Sequence, residues 1–320
     1  MATLITGHAG FIGSHLTDRL LAAGEAVVGL DNWDPFYPEA VKDRNLAGAR
    51  RHQGFQEIRG DIRDPHVYDR IPEGVDRIVH LAALAGVRPS IQEPARYQEV
   101  NVGGTTRLLE FARTRGIRRF VFASSSSVYG NNKKVPFSEA DPVDHPISPY
   151  AATKRAGELL AHTWTHLFGL RILCLRLFTV YGPRQRPDLA IHKFARLMAQ
   201  GDPIPMFGDG STQRDYTYID DILEGIEGAI RWVDQAADGA LEIVNLGESR
   251  TIRLDEMIHT LAGVLDVTPR IRHVPLQPGD VECTWADVSR ARDLLGYEPR
   301  TTFEEGIRSF VEWFRQETGG

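Results

Sequence analysis

The chain has 320 residues, of which 42% are hydrophobic and 25% charged, with a net charge of -6 and a pI near 6.0. Such a chain buries a large core, divides naturally into two lobes, and lacks the basic footprint that nucleic acid or an anionic membrane requires. Two cysteines, Cys174 and Cys283, are too few for a disulfide framework or a zinc site, no apolar run reaches membrane-spanning length, and no signal-peptide pattern opens the chain, so a cytoplasmic enzyme without a metal is expected.

Residues 2–6 form a short apolar run of the kind that makes a buried parallel strand. Gly7-His8-Ala9-Gly10-Phe11-Ile12-Gly13 follows at once. An apolar helix pattern then runs through Ile12, Leu16, Leu20 and Leu21, and a second strand at 26–30 ends on Asp31. Glycine spacing alone is a weak signal, but strand, Gly-x-x-Gly-x-x-Gly, helix, strand and terminal acid in that order point to a dinucleotide site. Gly7, Gly10 and Gly13, with Phe11 and Ile12, let a pyrophosphate approach a helix N-terminus. Asp31 is placed to accept from the adenosine ribose and to repel a 2′-phosphate. Asn32 and Trp33 beside it supply no arginine to offset that repulsion, so NAD is expected rather than NADP.

Residues 34–51 read as an insertion of loop and short helix. A third strand at 55–59 leads to Asp61 and Ile62, placed to hydrogen-bond and bracket adenine. A fourth at 75–80 runs into Leu81-Ala82-Ala83, small residues that lie against a cofactor or simply pack tightly. Arg88 reads as a loop cation, either substrate-facing or solvated. Asn101, within a long helix pattern at 93–115, is placed to bond cofactor or backbone. A strand at 118–123 enters Ser124-Ser125-Ser126-Ser127-Val128-Tyr129-Gly130, and strand C-termini line the ligand crevice of an open α/β sheet.

Next comes a helix opening on Tyr150-Ala151-Ala152-Thr153-Lys154. A spacing of four puts Tyr150 and Lys154 on one face. A nearby ammonium favours a phenolate and moves the tyrosine toward the range of a general base. An ordinary surface pair has the same spacing, but the chain has only five lysines, and one of them stands here.

After a strand at 171–177 the composition changes. The segment 178–188 is rich in arginine and breakers. Helices are expected at 191–199, 219–233, 254–265 and 302–315, a strand at 242–245, a short edge segment at 214–218, and a turn at 277–280. The pattern predicts a doubly wound parallel α/β sheet (Rossmann) at 1–178 plus 215–250. A smaller α/β substrate lobe is expected from discontinuous segments 179–214 plus 251–320.

Taken together, Thr6-Gly7-x-x-Gly10-x-x-Gly13, the serines before Val128-Tyr129-Gly130, Tyr150-x-x-x-Lys154, Arg214-Asp215-Tyr216-Thr217-Tyr218-Ile219-Asp220-Asp221 and Trp285-Ala286-Asp287 resemble an extended short-chain dehydrogenase/reductase of the nucleotide-sugar epimerase kind. The resemblance covers nearly the whole chain. It implies tightly held NAD, a UDP-sugar substrate and a homodimer formed through the helices near 93–115 and 148–168. It also implies that Tyr150 takes the proton of the sugar 4-hydroxyl, that Lys154 holds the nicotinamide ribose, and that Ser125 bonds the 4-oxygen.

Related dehydratases carry an Asp-Glu pair after the catalytic threonine, and related decarboxylases a glutamate before Val-Tyr-Gly; Ser126-Ser127 stands here instead. Epimerisation without loss of a group is therefore implied. Residues 31–38, 178–188 and 277–281 resemble UDP-glucuronate 4-epimerases, which implies interconversion of UDP-glucuronate and UDP-galacturonate. A C6 carboxylate wants a guanidinium or convergent hydroxyls: Thr179 and Arg186 are the candidates, Ser126 lies alongside, and Arg88 is in reserve. Arg214 is implied as the phosphate ligand and Asp280 as the uridine-ribose ligand. UDP-glucose 4-epimerase stays open as an alternative, with N-acetyl sugars admitted by the small Thr284, and so, from a different class, does a catalytically silent NAD-binding sensor.

Overall fold

The structure, a computed structural model, describes residues 1–275 and 281–318. Among these, seven strands form one parallel sheet: β1 (Ala2–Thr6), β2 (Ala26–Asp31), β3 (Phe55–Arg59), β4 (Val75–His80), β5 (Arg119–Ser125), β6 (Arg171–Leu177) and β10 (Leu241–Leu246). Across the sheet the order is β3-β2-β1-β4-β5-β6-β10. The direction of winding reverses between β1 and β4, and ligands bind at such a switch point, beyond the strand C-termini.

Helices Phe11–Ala22 and Ile219–Gln235 pack on one face of the sheet, and helices Thr105–Thr114 and Pro149–Phe168 cover the other. The inner strands β1, β2, β5 and β6 are mostly apolar and buried because both faces are covered, whereas β3 at the edge is largely polar. The Pro149–Phe168 helix begins where it must. Ser148 Oγ accepts from Ala151 N at 3.1 Å, Pro149 opens the first turn, and Gly169, at φ 70, closes the last.

The smaller lobe holds a three-stranded sheet of β7 (Thr179–Tyr181), β9 (Gln213–Tyr218) and β11 (Thr251–Arg253), and a parallel pair of β8 (Ile204–Phe207) and β12 (Ile271–Val274). Helices Ala190–Ala199, Leu254–Leu265 and Phe303–Thr318 pack on it through Ile191, Phe194, Met257, Ile258, Phe310 and Phe314. That core is continuous with the sheet core around Ile222 and Leu246, so the two lobes share one apolar interior.

The doubly wound sheet and discontinuous second lobe are as expected, but three local features differ. The segment at 214–218 is the central strand of its sheet, not an edge, because β7 and β11 pair on either side of it. Arg88 lies in a helix, Val87–Gln92, rather than a loop. The helical run after Glu93 is not uniform: a π-helical stretch, Gln98–Gly104, interrupts it. Gly104 meets the Ile62 side chain there, where an added Cβ would stand 2.5 Å from its tip. Among the described residues, no helix is long and apolar enough to cross a membrane.

Candidate active site

A cleft opens over the C-terminal ends of β1, β2, β4, β5 and β6. One end is built from the glycine turn. Gly7 has φ 77, and a Cβ on it would stand 2.7 Å from the Ala82 amide nitrogen. A Cβ on Gly13 would stand 2.1 Å from the Gly7 carbonyl. Only bare backbone fits this approach of turn, helix and β4, and it leaves Gly10, Phe11, Ile12, Leu81, Ala82 and Ala83 lining the cleft.

Asp31 ends β2 with Oδ1 already engaged, by Trp33 N at 2.8 Å and Lys42 Nζ at 3.3 Å. Lys42 was not visible in the sequence as a site residue. It reaches Asp31 only because the 34–45 insertion folds back over the cleft, and no local periodicity announces that. The same insertion brings in Tyr37, whose hydroxyl lies 3.7 Å from the Cβ position of Gly10. Burial pushes the Tyr37 hydroxyl up, so it remains a donor beside the cradle. Asn32 Nδ2 donates to Asp61 Oδ2 at 2.9 Å. Although burial opposes its charge, Asp61 is held down to about 2 by hydrogen bonds from Arg63 and Asn32. Ile62 lies beside it. Bare backbone at the glycine turn, an acid ending β2 and the apolar Ile62 in one cleft together fit a dinucleotide.

Asn101 does not face this cleft. Its Oδ1 accepts from Leu84 N at 2.8 Å, and its Nδ2 donates to Leu84 O at 2.9 Å and Thr153 Oγ1 at 3.0 Å. Of the two expected partners, cofactor or backbone, it is the backbone of Leu84 that Asn101 bonds.

Mid-cleft, Ser125, Tyr150 and Lys154 come together. Lys154 Nζ donates to Ala123 O at 2.7 Å and lies 5.9 Å from the centre of the Tyr150 ring. Burial pushes its ammonium down to about 8. The expected depression of Tyr150 by Lys154 is not what the protein groups produce. Burial raises the Tyr150 hydroxyl, and the opposing influences are a hydrogen bond with Ser125 and the charge of Arg186. The spacing of four aligned the two side chains, but the ammonium turns toward the β5 backbone instead of the phenol.

Ser126, Thr179 and Arg186 line the same cleft. Arg186 is clamped by Asp188, Nε to Oδ1 at 3.0 Å and Nη2 to Oδ2 at 2.8 Å, and lies 5.1 Å from the centre of the Phe36 ring. Arg88 and Arg214 are not brought to this wall. Arg88 lies over the Phe207 ring at 5.0 Å, joining the large lobe to β8. Arg214 Nη1 donates to the Gln213 carbonyl at 2.8 Å on β9. Asp280 lies outside the described residues.

Residues 4–310 match the family model described as GDP-mannose 4,6 dehydratase. A UDP-glucuronate 4-epimerase of Thermodesulfobacterium geofontis is 39% identical, with 98% of this chain and 96% of the relative covered. Among solved structures, UDP-glucuronic acid 4-epimerase from Bacillus cereus, in complex with UDP-glucuronic acid and NAD, superposes with a TM-score of 0.92 at 35% identity, covering 99% of this chain and 100% of the other. UDP-glucose 4-epimerase from Thermotoga maritima, with UDP-glucose, gives 0.90 at 33% identity, covering 99% and 100%. The chain thus belongs to the GDP-mannose 4,6 dehydratase family of extended short-chain dehydrogenase/reductases.

Proposed function

We propose that this protein is an NAD-dependent UDP-glucuronate 4-epimerase, interconverting UDP-glucuronate and UDP-galacturonate through a 4-keto sugar. The observation that carries the substrate choice is Arg186, a guanidinium in the same cleft as Tyr150 with Thr179 and Ser126 alongside. Its charge reaches Tyr150. Ser126-Ser127 also lacks the carboxylates that dehydration would use, although the family is named for a dehydratase.

In this reading Tyr150 takes the proton of the C4 hydroxyl and later returns it. The Ser125 hydroxyl bonds the same oxygen and steadies the charge passing through it. NAD, when bound, would supply the hydride acceptor and donor for C4, whose configuration inverts once the 4-keto sugar has turned over in the cleft. Lys154 spends one donor on Ala123 O and keeps two for the nicotinamide ribose. Gly7, Gly10 and Gly13 hold the pyrophosphate, Asp31 and Asn32 the adenosine ribose, and Asp61 and Ile62 the adenine. Arg186 and Thr179 grip the C6 carboxylate, which matters because a 4-keto uronate is a β-keto acid prone to lose CO2.

We divide the chain into an NAD-binding part, 1–178 with 215–250, and a UDP-sugar-binding part, 179–214 with 251–320, where Arg214 and Asp280 take the nucleotide. A homodimer through the helices near 93–115 and 148–168 is supported by Leu159, Leu167 and Phe168, which stay exposed on the second of them. The unpaired Cys174 and Cys283 suit a reducing cytoplasm. The test is direct: incubate the protein with UDP-glucuronate and separately with UDP-glucose, and follow the epimer ratio by NMR. Turnover of UDP-glucose alone would replace this reading with UDP-glucose 4-epimerase.

A further inference from the structure

We propose that the buried Glu158–Arg176 ion pair is a positioning device that sets how the helix bearing Tyr150 and Lys154 seats on β5, and so how Tyr150 meets Ser125. The inference rests on Tyr150 being the base.

Tyr150, Lys154 and Glu158 follow at intervals of four, forming one stripe down the Pro149–Phe168 helix. All three face the end of β5, and two of them are bonded to it. Lys154 donates to the Ala123 carbonyl at 2.7 Å, Ser124 Oγ donates to Glu158 Oε1 at 2.7 Å, and Tyr150 lines the same cleft as Ser125. The helix comes close enough for this because residue 157 is glycine; a Cβ there would stand 2.3 Å from the Phe122 ring.

Glu158 is then held in a fork by Arg176 on β6, Nε to Oε1 at 2.9 Å and Nη2 to Oε2 at 3.0 Å. Neither side chain is more than 2% exposed. Arg155 Nη1 adds a third donor at 3.1 Å. Arg176 Nη1 passes on to the Tyr129 hydroxyl at 3.0 Å, and Tyr129 donates to Asn245 Oδ1 on β10 at 2.6 Å. Asn245 Nδ2 in turn donates to the carbonyls of Phe137 and Asp287, at 2.9 and 3.1 Å. Tyr129, from Val128-Tyr129-Gly130, ends the turn that carries Ser126 and Ser127.

An ion pair this deep is a poor source of stability, since apolar residues of equal volume often serve as well or better. What apolar packing lacks is direction. A fork of fixed geometry linking one helix to the ends of three neighbouring strands fixes the helix rotation and depth, and the reacting groups stand two turns away on the same stripe.

The first test is Ser124→Ala, which cuts the tie to β5 while leaving the ion pair intact. Its kcat is expected to fall roughly 3–10-fold, the order of one lost net hydrogen bond, with KM for UDP-glucuronate, bound NAD and Tm unchanged. The second is Glu158→Leu with Arg176→Met, which removes both charges together. The pair is expected to keep wild-type Tm and bound NAD and to lose kcat by 10-fold or more. Wild-type kcat in Ser124→Ala, or in the folded double variant, overturns the proposal. Tyr150→Phe is assayed alongside: if it still turns over, the reading of the base fails instead.

Discussion

The Lys42 ammonium stands 3.3 Å from the Asp31 carboxylate, with 6% and 8% of the two side chains exposed. In the proposed NAD site a cation therefore waits beside the acid expected to exclude a 2′-phosphate. Asp31→Ser is expected to admit NADP, and Asp31→Ser with Lys42→Met to lose it again. A charge-assisted bond to phosphate is worth about 1.5–3 kcal/mol, so the two variants should differ roughly 10–100-fold in NADP affinity, read by titrating apoprotein. Equal NADP binding by both would remove Lys42 from the site.

Tyr150→Phe should keep NAD and lose turnover by roughly 10²–10⁴-fold, the usual share of a general base. Because burial raises the Tyr150 hydroxyl, the wild-type rate should climb with pH along its acid limb as that proton is lost.

Lys154 gives a limb of opposite sign. Its ammonium is pushed down to about 8, so the charge that favours the cofactor disappears as pH rises through that value. NAD affinity of the apoprotein should fall above pH about 8 in the wild type. In Lys154→Met it should be weaker throughout and flat across the same range, by fluorescence titration.

Arg186→Ala should cost kcat/KM roughly 10–100-fold with UDP-glucuronate and far less with UDP-glucose, since only the uronate offers a carboxylate to the guanidinium. Parallel losses on both substrates would make Arg186 a brace for its loop, held by Asp188.

Gly13→Ala should yield protein without NAD. The added Cβ falls 2.1 Å from the Gly7 carbonyl, so the turn must open, and the backbone that cradles the pyrophosphate moves with it. The ratio of absorbance at 260 and 280 nm after purification reports the loss; a normal NAD content would count against the cradle.

The large sheet was legible because its strands are long apolar runs followed by punctuating glycines or acids, as at Thr6-Gly7 and Leu30-Asp31. The short strands of the smaller lobe were not, because Thr179–Tyr181 and Thr251–Arg253 are three residues each, too short to display an alternation. That is why Arg214–Tyr218 looked like an edge. Gly86 and Pro89 disguised the helix that carries Arg88. Spacing placed Tyr150 and Lys154 on one face, but only the packed structure shows the ammonium turned to Ala123. Lys42 reaches Asp31, and Asn101 reaches Leu84, through tertiary folding that no single stretch of sequence encodes.

Phe36 and Tyr37 are adjacent residues of one insertion; Phe36 stacks on the Arg186 guanidinium while the Tyr37 hydroxyl stands over Gly10. Loosening either grip tugs on its neighbour. In the proposed site, departure of the dinucleotide would have to peel away a strap that Arg186 also fastens. Exchange of the coenzyme should therefore be slowest while a sugar nucleotide is seated, and the protein should leave a cell still carrying the molecule it was assembled with.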